Sequence, residues 1–386
     1  MTKEESLRQL INKIAKEQNY EKPEIIINET SSGGANYTSK LYTVIIREEN
    51  KEDLHLYAKI AAFGEELRKE MPVDIYGVEQ FVYANLLKKY ASLEEEHNVP
   101  KEHRLFFSKC YGVDASKNQE ILVLENLVEQ GYGPHDRFNS YDWDYASVAI
   151  TNLAKMHALS FAFSKQYPEE FEKTMAIFQM DWKKMVESEN IELMVTKMKN
   201  IALRNVNPEF REKLDKVTEN MKHPYTMYGA IRRTAIVHAD FRGSNLLHRV
   251  REVSFILDLQ TMQKGSPVAD LIYFIITGSD EKFRAQYYEK LIDLYYTQLS
   301  AAMKRLNLDP EETYSREDFE YELKEKLPYG LSLAVFVLPV VTVATENAPE
   351  VSEITEVEDF IVDKTSSLYT ERLNGIINDY VKWGIL

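Results

Sequence analysis

The apolar positions alternate in the first third of the chain and take helical spacing over most of the rest. Residues 1–20 place Leu7, Leu10, Ile11 and Ile14 on one stripe, which predicts a leading amphipathic helix. Short apolar runs bounded by polar residues or glycine then predict strands. These predicted strands cover residues 25–28, 41–46, 54–60 and 120–125. One amphipathic helix is predicted among them, over residues 73–87.

Beyond residue 126 the pattern is mainly helical, apart from a short apolar hairpin between residues 245 and 258. The apolar run 331–344 is shorter than the roughly twenty residues of a membrane helix and contains Pro339, so we expect a buried helix there. The N-terminal residues lack the apolar core of a signal peptide. The other helices are predicted at 141–166, 181–203, 210–221, 282–306 and 314–327.

Composition restricts the class of protein and of partner. A chain of 386 residues with 44% hydrophobic and 28% charged residues is typical of a soluble globular protein. Its net charge of −15 argues against nucleic acid or an anionic membrane as a partner. The single cysteine, Cys110, excludes an intrachain disulfide and favours a reducing, cytoplasmic location. Nothing in the sequence indicates the oligomeric state.

Three polar residues are candidates for a catalytic site: Asp240 and Asn245 lie in one predicted loop, and Asp258 lies at the end of a predicted strand. Asp240 precedes Asn245 by five residues and Asp258 by eighteen, and apolar runs lead into each acid. Phosphoryl transfer from ATP needs a carboxylate to accept the hydroxyl proton, and an amide and a second carboxylate to hold Mg²⁺. The alternative is that Asp240 and Asn245 are turn or cap residues and that Asp258 ends an exposed hairpin. A buried acid requires a partner or a metal, which favours the kinase interpretation for Asp258.

Upstream segments supply the other parts of such a site. Gly33 and Gly34 separate two predicted strands, where backbone N–H groups approach phosphate closely, although a simple hairpin turn fits equally. Lys59, on the next strand, would reach the α/β-phosphates, and Glu79 on the following helix would pair with it. Taken singly, each is also explained as a solvated residue. The strand ending at Glu125 would present its backbone to adenine, and these features occur in the order that a kinase needs.

These segments resemble the ecdysteroid kinase-like family of insects, also called choline-kinase-like, within the aminoglycoside phosphotransferase group. The resemblance extends from about Ile25 to about Thr345 and is most specific at 238–247 and 258–274. It implies an α+β, bilobal, protein-kinase-like fold. The N-lobe, small and mainly β, would comprise residues 1–126, and the larger, mainly helical C-lobe residues 127–386.

The resemblance also implies roles for individual residues. Asp240 would be the catalytic base, Asn245 and Asp258 the Mg²⁺ ligands, and Lys59 and Glu79 the ion pair beside the phosphates. Gly33, Gly34, Asn36, Glu125 and Leu127 would complete the ATP site. The implied activity is phosphorylation of a hydroxyl on an ecdysteroid or on a xenobiotic alcohol, phenol or glycoside. A choline or aminoglycoside kinase and a non-catalytic ligand-binding pseudokinase are the alternatives.

Several residues depart from the family pattern or invite other interpretations. Ala239, Ser244 and Leu259 replace the usual glycine, asparagine and phenylalanine, which leaves open whether the rate is reduced. His157 is expected to be a structural histidine. Asp270 is expected to cap a helix, and by resemblance also to bond the loop that carries Asp240. The acidic runs at 65–66 and 94–96 are expected to be solvated.

Overall fold

A five-stranded antiparallel sheet near the N-terminus is followed by a larger helical region. A computed structural model describes residues 2–31, 36–70, 74–179, 189–219, 221, 227–249, 254–348, 359 and 361–386. The described strands are β1 Glu24–Thr30, β2 Ser39–Arg47, β3 Leu54–Ala61, β4 Cys110–Asp114, β5 Ile121–Glu125, β6 Gly133–Pro134, β7 Ala235–Val237, β8 Leu246–His248, β9 Ser254–Ile256 and β10 Gln263–Gly265. The described α-helices are α1 Lys3–Glu17, α2 Glu65–Glu70, α3 Ile75–Phe81, α4 Leu87–Glu96, α5 Trp143–Gln166, α6 Pro168–Ile177, α7 Glu189–Asn205, α8 Arg211–Thr218, α9 Pro267–Gly278, α10 Glu281–Arg305, α11 Pro310–Tyr314, α12 Arg316–Phe336, α13 Leu338–Val341 and α14 Ser367–Lys382.

The sheet has the strand order β1-β2-β3-β5-β4, and α1 covers one of its faces. A capping box in which Thr2 and Glu5 bond each other's backbone fixes the start of α1. Alternate side chains of the strands, such as Val44 and Leu56, are buried against the apolar stripe of α1. The predicted strands and leading helix are therefore confirmed.

The other face of the sheet packs against α3. Asp74 caps this helix by accepting a hydrogen bond from the backbone of Gly77, and Val78 is buried against the core. The helix predicted over 73–87 is not regular throughout, because a π turn over Val82–Leu86 separates α3 from α4. Residues 71–73 lie outside the described part of the chain.

The larger region is built around long helices. All twelve residues of α9 are buried, so this helix forms its centre. The predicted helices at 141–166, 210–221, 282–306 and 314–327 match α5, α8, α10 and α12 within several residues, while 181–203 begins outside the described residues and ends in α7. Helix α14 was not predicted, although its buried residues Tyr369, Leu373, Ile376 and Tyr380 have helical spacing.

The prediction of one continuous helix over residues 331–344 is wrong. The apolar run 331–344 does not form a single helix, because α12 ends at Phe336 and the short α13 begins at Leu338. Pro339 has no N–H to donate and cannot continue the first helix. The run is nevertheless buried, as expected.

The sheet and the helical region give the α+β, bilobal, kinase-like fold that the resemblance implies. Over the ranges that the structure describes, no helix has both the length and the apolar composition needed to cross a membrane. The lobe boundary after Asn126 stays a prediction.

Candidate active site

Asp240 lies in a loop, residues 238–245, that we call the aspartate loop. The fully buried strand β7 leads into it. One carboxylate oxygen accepts hydrogen bonds from Arg242 Nε at 2.9 Å and from the Tyr273 hydroxyl at 2.5 Å. The other accepts from Asn245 Nδ2 at 2.8 Å. Three donors therefore fix the carboxylate, and all three suit its ionised form.

The Asp270 side chain fixes the backbone of the aspartate loop by hydrogen bonds. Its two oxygens accept hydrogen bonds from the N–H groups of His238 (2.7 Å) and Ala239 (2.8 Å). His157 Nε2 lies 3.1 Å from the same carboxylate, and its Nδ1 lies 2.7 Å from the Tyr295 hydroxyl. The loop contact of Asp270 and the structural role of His157 are confirmed. The expectation of a cap at Asp270 is wrong, because α9 begins three residues earlier, at Pro267, and Asp270 lies inside the helix, where its side chain reaches the loop.

Ala239 takes the left-handed conformation that a glycine would take more easily. Its φ is +64°, and an alanine in this region costs about 1–2 kcal/mol. The position is held on both sides, since the N–H bonds Asp270 and the carbonyl accepts from the Tyr228 hydroxyl at 2.7 Å. The surrounding bonds therefore keep the loop in shape despite the departure from glycine.

The hairpin of β8 and β9 brings Asp258 to the aspartate loop. Leu246 pairs with Ile256, and the N–H of Leu257 donates to the Asn245 carbonyl at 2.9 Å. Asp258 follows directly, with a φ of +58°. Because Asn245 directs its amide nitrogen to Asp240, its amide oxygen is the atom left for a metal ion.

Lys59 joins the sheet to this hairpin. Its ammonium lies 2.8 Å from Glu79 Oε1 and 2.6 Å from Asp258 Oδ1. The three side chains are only 10%, 5% and 15% exposed, respectively. The predicted Lys59–Glu79 pair is thus present, and Lys59 also bonds Asp258.

Two buried carboxylates share this one lysine, which shifts all three pKa values. Burial would lower the pKa of Lys59, but Asp258 and Glu79 outweigh it and raise that pKa. Burial raises the pKa of Glu79, and Lys59 offsets only part of the effect. Burial also acts on Asp258, yet Lys59 and Arg242 overcome it and hold its pKa below the ordinary value. Glu79 is therefore the acid that takes up a proton first.

The nucleotide-loop residues are only partly described. Gly33 and Gly34 lie outside the described residues. Asn36 donates to the Ser39 carbonyl at 2.6 Å and accepts from the Thr38 hydroxyl at 3.2 Å, so it stabilises the turn into β2. The same Thr38 hydroxyl lies 3.0 Å from Gln260 Oε1, so it donates to either Asn36 or Gln260 and brings this turn next to the segment after Asp258.

Glu125 and Leu127 lie where β5 leaves the sheet. Glu125 pairs with Leu56, three residues along β3 from Lys59, a distance of about 10 Å along the strand. The Glu125 carbonyl accepts a hydrogen bond from Ser108, and its side chain accepts one from Gln130 at 2.7 Å. Leu127 is buried and begins a 3₁₀ turn.

Arg242 and Tyr273 are site residues that sequence reasoning missed. Arg242 carried a signal, since it stands two positions after Asp240, but Tyr273 is thirty-three residues away. Arg242 also lines a cavity of about 20 Å³, together with His135, Arg137 and Val341 among others. None of its described lining residues is acidic.

The oxygen donors fit Mg²⁺ better than a metal that prefers nitrogen or sulfur. Within the described ranges, no group of three or more His, Cys, Asp or Glu side chains could hold a metal ion. One carboxylate and one amide are the sparse protein ligands with which Mg²⁺ binds when phosphates supply the rest. Asp258 and Asn245 therefore fit the ion, provided that Lys59 gives up its bond to Asp258.

Comparison with known proteins identifies the family of this chain. The sequence profile of the ecdysteroid kinase-like family matches residues 33–308, well over half of the chain. The chain belongs to the ecdysteroid kinase-like family. It is therefore a phosphotransferase of kinase-like fold. A search among curated proteins gives no match.

Solved structures similar to this family member are distant. A choline kinase from Streptococcus pneumoniae has 12% identity and a TM-score of 0.42, covering 95% of this chain and 99% of that one. A macrolide 2'-phosphotransferase from Brachybacterium faecium has 9% identity and a TM-score of 0.40, covering 83% and 91%. An aminoglycoside phosphotransferase in a streptomycin–ATP complex has 12% identity and a TM-score of 0.27, covering 84% and 97%.

Proposed function

We propose that this protein is an ATP- and Mg²⁺-dependent O-kinase that phosphorylates a hydroxyl of a neutral small molecule. The observation that carries the proposal is the aspartate loop, where three donors orient the Asp240 carboxylate beside the amide of Asn245. An ionised carboxylate held in this way can accept the proton of an attacking hydroxyl and align its oxygen.

Other residues of the site would bind the metal ion and the nucleotide. Asn245 and Asp258 would hold Mg²⁺, which when bound neutralises charge on the phosphates. Lys59 would contact the α/β-phosphates while Glu79 keeps it in place. Gly33, Gly34 and Asn36 would cover the phosphates, and the backbone at Glu125 and Leu127 would bond adenine.

Arg242 would stabilise negative charge on the transferred group. Its guanidinium is only 13% exposed and adjoins Asp240 at 2.9 Å. A fixed cation at the reacting centre lowers the free energy of a transition state that gathers charge on phosphoryl oxygens.

A neutral acceptor fits the surroundings of Asp240 better than a cation does. Arg137 and Arg242 both lie beside the aspartate loop, and two cations there disfavour a quaternary ammonium or an aminoglycoside. Family membership then favours an ecdysteroid, or a xenobiotic alcohol, phenol or glycoside.

The test incubates the purified protein with labelled ATP, Mg²⁺ and a panel of ecdysteroids, phenolic glycosides, choline and aminoglycosides. We expect label on the neutral acceptors. Asp240→Asn should keep ATP binding and lose about 10²–10⁴-fold in transfer rate, while Asp293→Asn, an exposed acid of α10, should not change it. Near-normal turnover by Asp240→Asn would contradict the role of Asp240. Transfer to choline or aminoglycosides alone would refute the neutral acceptor.

A further inference from the structure

A second cavity, of about 550 Å³, lies away from the candidate active site, and we call it the rear cavity. Its walls are the π turn and α4 on one side and residues 105–113, which lead into the edge strand β4, on the other; Leu159 of α5 also contributes. Neither Lys59, Asp258 nor the aspartate loop lines it. Its volume is typical of small-molecule sites and too small for a folded partner.

The lining of the rear cavity suits a flat apolar molecule. Five aromatic side chains contribute to it, from Tyr83, Tyr90, Phe106, Phe107 and Tyr111. Aromatic walls of this kind hold fused rings by stacking and edge contacts. The ligand class that fits is therefore a compact ring system.

Tyr83 contributes its ring, not its hydroxyl, to this lining. Its side chain is 4% exposed, and the hydroxyl oxygen has almost no accessible surface. A ligand in the cavity would therefore contact the aromatic ring of Tyr83 and not its oxygen.

The rear cavity disfavours a charged ligand. Glu94 lines it and, contrary to the expectation of a solvated carboxylate, is only 6% exposed. Its carboxyl accepts a hydrogen bond from the backbone N–H of Leu105 at 2.8 Å. Burial raises the pKa of Glu94 to about 7, although Arg104 and Lys155 lie near enough to oppose the shift. Lys88 also lines the cavity but is exposed, whereas the wall at Glu94 is buried. A ligand packed against that buried wall should therefore be neutral.

The rear cavity and the ion pair of the active site are connected through one helical segment, which carries both Tyr83 and Glu79. Tyr83 belongs to the π turn and stands four residues after Glu79, so the two side chains are on the same side of consecutive turns. A π turn inside a helix is a common feature of functional sites. A ligand that moves Tyr83 would therefore move Glu79 relative to Lys59.

We propose that the rear cavity binds a neutral, flat, mostly apolar molecule, and that binding changes the position of Glu79 against Lys59. The second part rests on the proposed function, since it supposes that Lys59 contacts ATP. The first part requires no catalysis.

The probe is prodan, a neutral naphthalene ketone whose fluorescence reports on polarity and hydrogen bonding, titrated into the full-length protein. We expect saturable binding with a blue-shifted emission. Ala91→Trp fills the cavity from an exposed position of α4 and should weaken binding by about tenfold or more. Ala176→Trp, on the exposed face of α6 outside the cavity, is the matched control and should bind prodan normally.

Tyr83→Phe keeps the ring that lines the cavity and should leave the affinity for prodan nearly unchanged. Binding should survive saturating ATP and Mg²⁺. Wild-type affinity in Ala91→Trp, or displacement of the dye by ATP, would overturn the site. If the site holds, prodan should change ATP affinity, and ATP should change prodan affinity by the same factor. Equal ATP affinities with and without prodan would refute the coupling to Glu79.

Discussion

Replacing Lys59 by methionine tests the buried charge cluster most directly. The change removes the ammonium that bonds both Glu79 and Asp258 and keeps an unbranched side chain of similar length. Asp258 retains Arg242 as a nearby cation, whereas Lys59 is the main cation opposing the burial of Glu79. The loss of Lys59 should therefore force Glu79 to take up a proton in the folded state.

The free-energy cost of protonating Glu79 determines how much stability Lys59→Met loses. The ordinary pKa of a glutamate is 4.5, and each pH unit above it adds about 1.4 kcal/mol to the cost of protonation. The cost is then about 1.4 kcal/mol at pH 5.5 and about 5 kcal/mol at pH 8. A group whose folded pKa is raised loses stability as pH rises, so the variant should be much weaker at the higher pH. We expect Lys59→Met to lower the free energy of unfolding by about 1–2 kcal/mol at pH 5.5 and about 3–5 kcal/mol at pH 8.

Urea denaturation at the two pH values measures these losses. Lys40→Met makes the same change at an exposed position of the adjacent strand and should alter stability by less than about 0.5 kcal/mol. Combining Lys59→Met with Glu79→Gln should remove most of the pH dependence, because the acid that needs the proton is gone. Equal losses at both pH values would refute the buried cluster. The single variant should also lose most of its affinity for ATP.

Three further predictions concern the metal, the arginine and the rear cavity. Mg²⁺ and ATP together should raise the melting temperature by more than the sum of their separate effects, because the phosphates draw Lys59 away from Asp258. Asp258→Asn should abolish this excess. Additive shifts in the wild-type protein would contradict the prediction. Arg242→Gln should lower kcat by about 10²-fold or more with ATP affinity little changed, and a loss confined to KM in steady-state kinetics would remove Arg242 from the reacting centre. Glu94 has a raised pKa of about 7, so the stability linked to its neutral form is lost as pH rises from 4.5 through 7. From pH 5 to pH 8 the free energy of unfolding of Glu94→Gln should therefore rise by about 1–2 kcal/mol relative to that of wild type, after allowance for solvent screening. Parallel pH profiles of the two proteins in denaturation would contradict this.

Sequence periodicity predicts much of the fold because buried stripes are visible without coordinates. The alternation at Val44, Ile46 and Leu56 places β2 and β3 correctly, and Leu7 with Ile11 places α1. The same reasoning gave one helix over 73–87, because the π turn is a backbone feature that leaves the apolar order almost unchanged.

The site is less visible in the sequence where its contacts join distant segments. Lys59 and Glu79 lie on adjacent elements, so their pairing follows from the order of strand and helix. The second bond of Lys59, to Asp258, crosses 199 residues and has no local signal. The hydrogen bond from Tyr273 to Asp240 depends on where α9 packs, and the burial of Glu94 depends on the backbone of Leu105.

Local charge, not net charge, governs what this site can bind. A chain with a net charge of −15 predicts poor affinity for anions. Yet Lys59 and Arg242 are gathered around the candidate centre, and Arg137 lies beside it. Lys59 and Arg242 are bonded to Asp258 and Asp240, so phosphates at this site would exchange one set of anionic partners for another. The carboxylates released by that exchange are the groups that the proposed metal ion and acceptor hydroxyl would require. The ion pairs therefore define what the proposed substrates would have to replace.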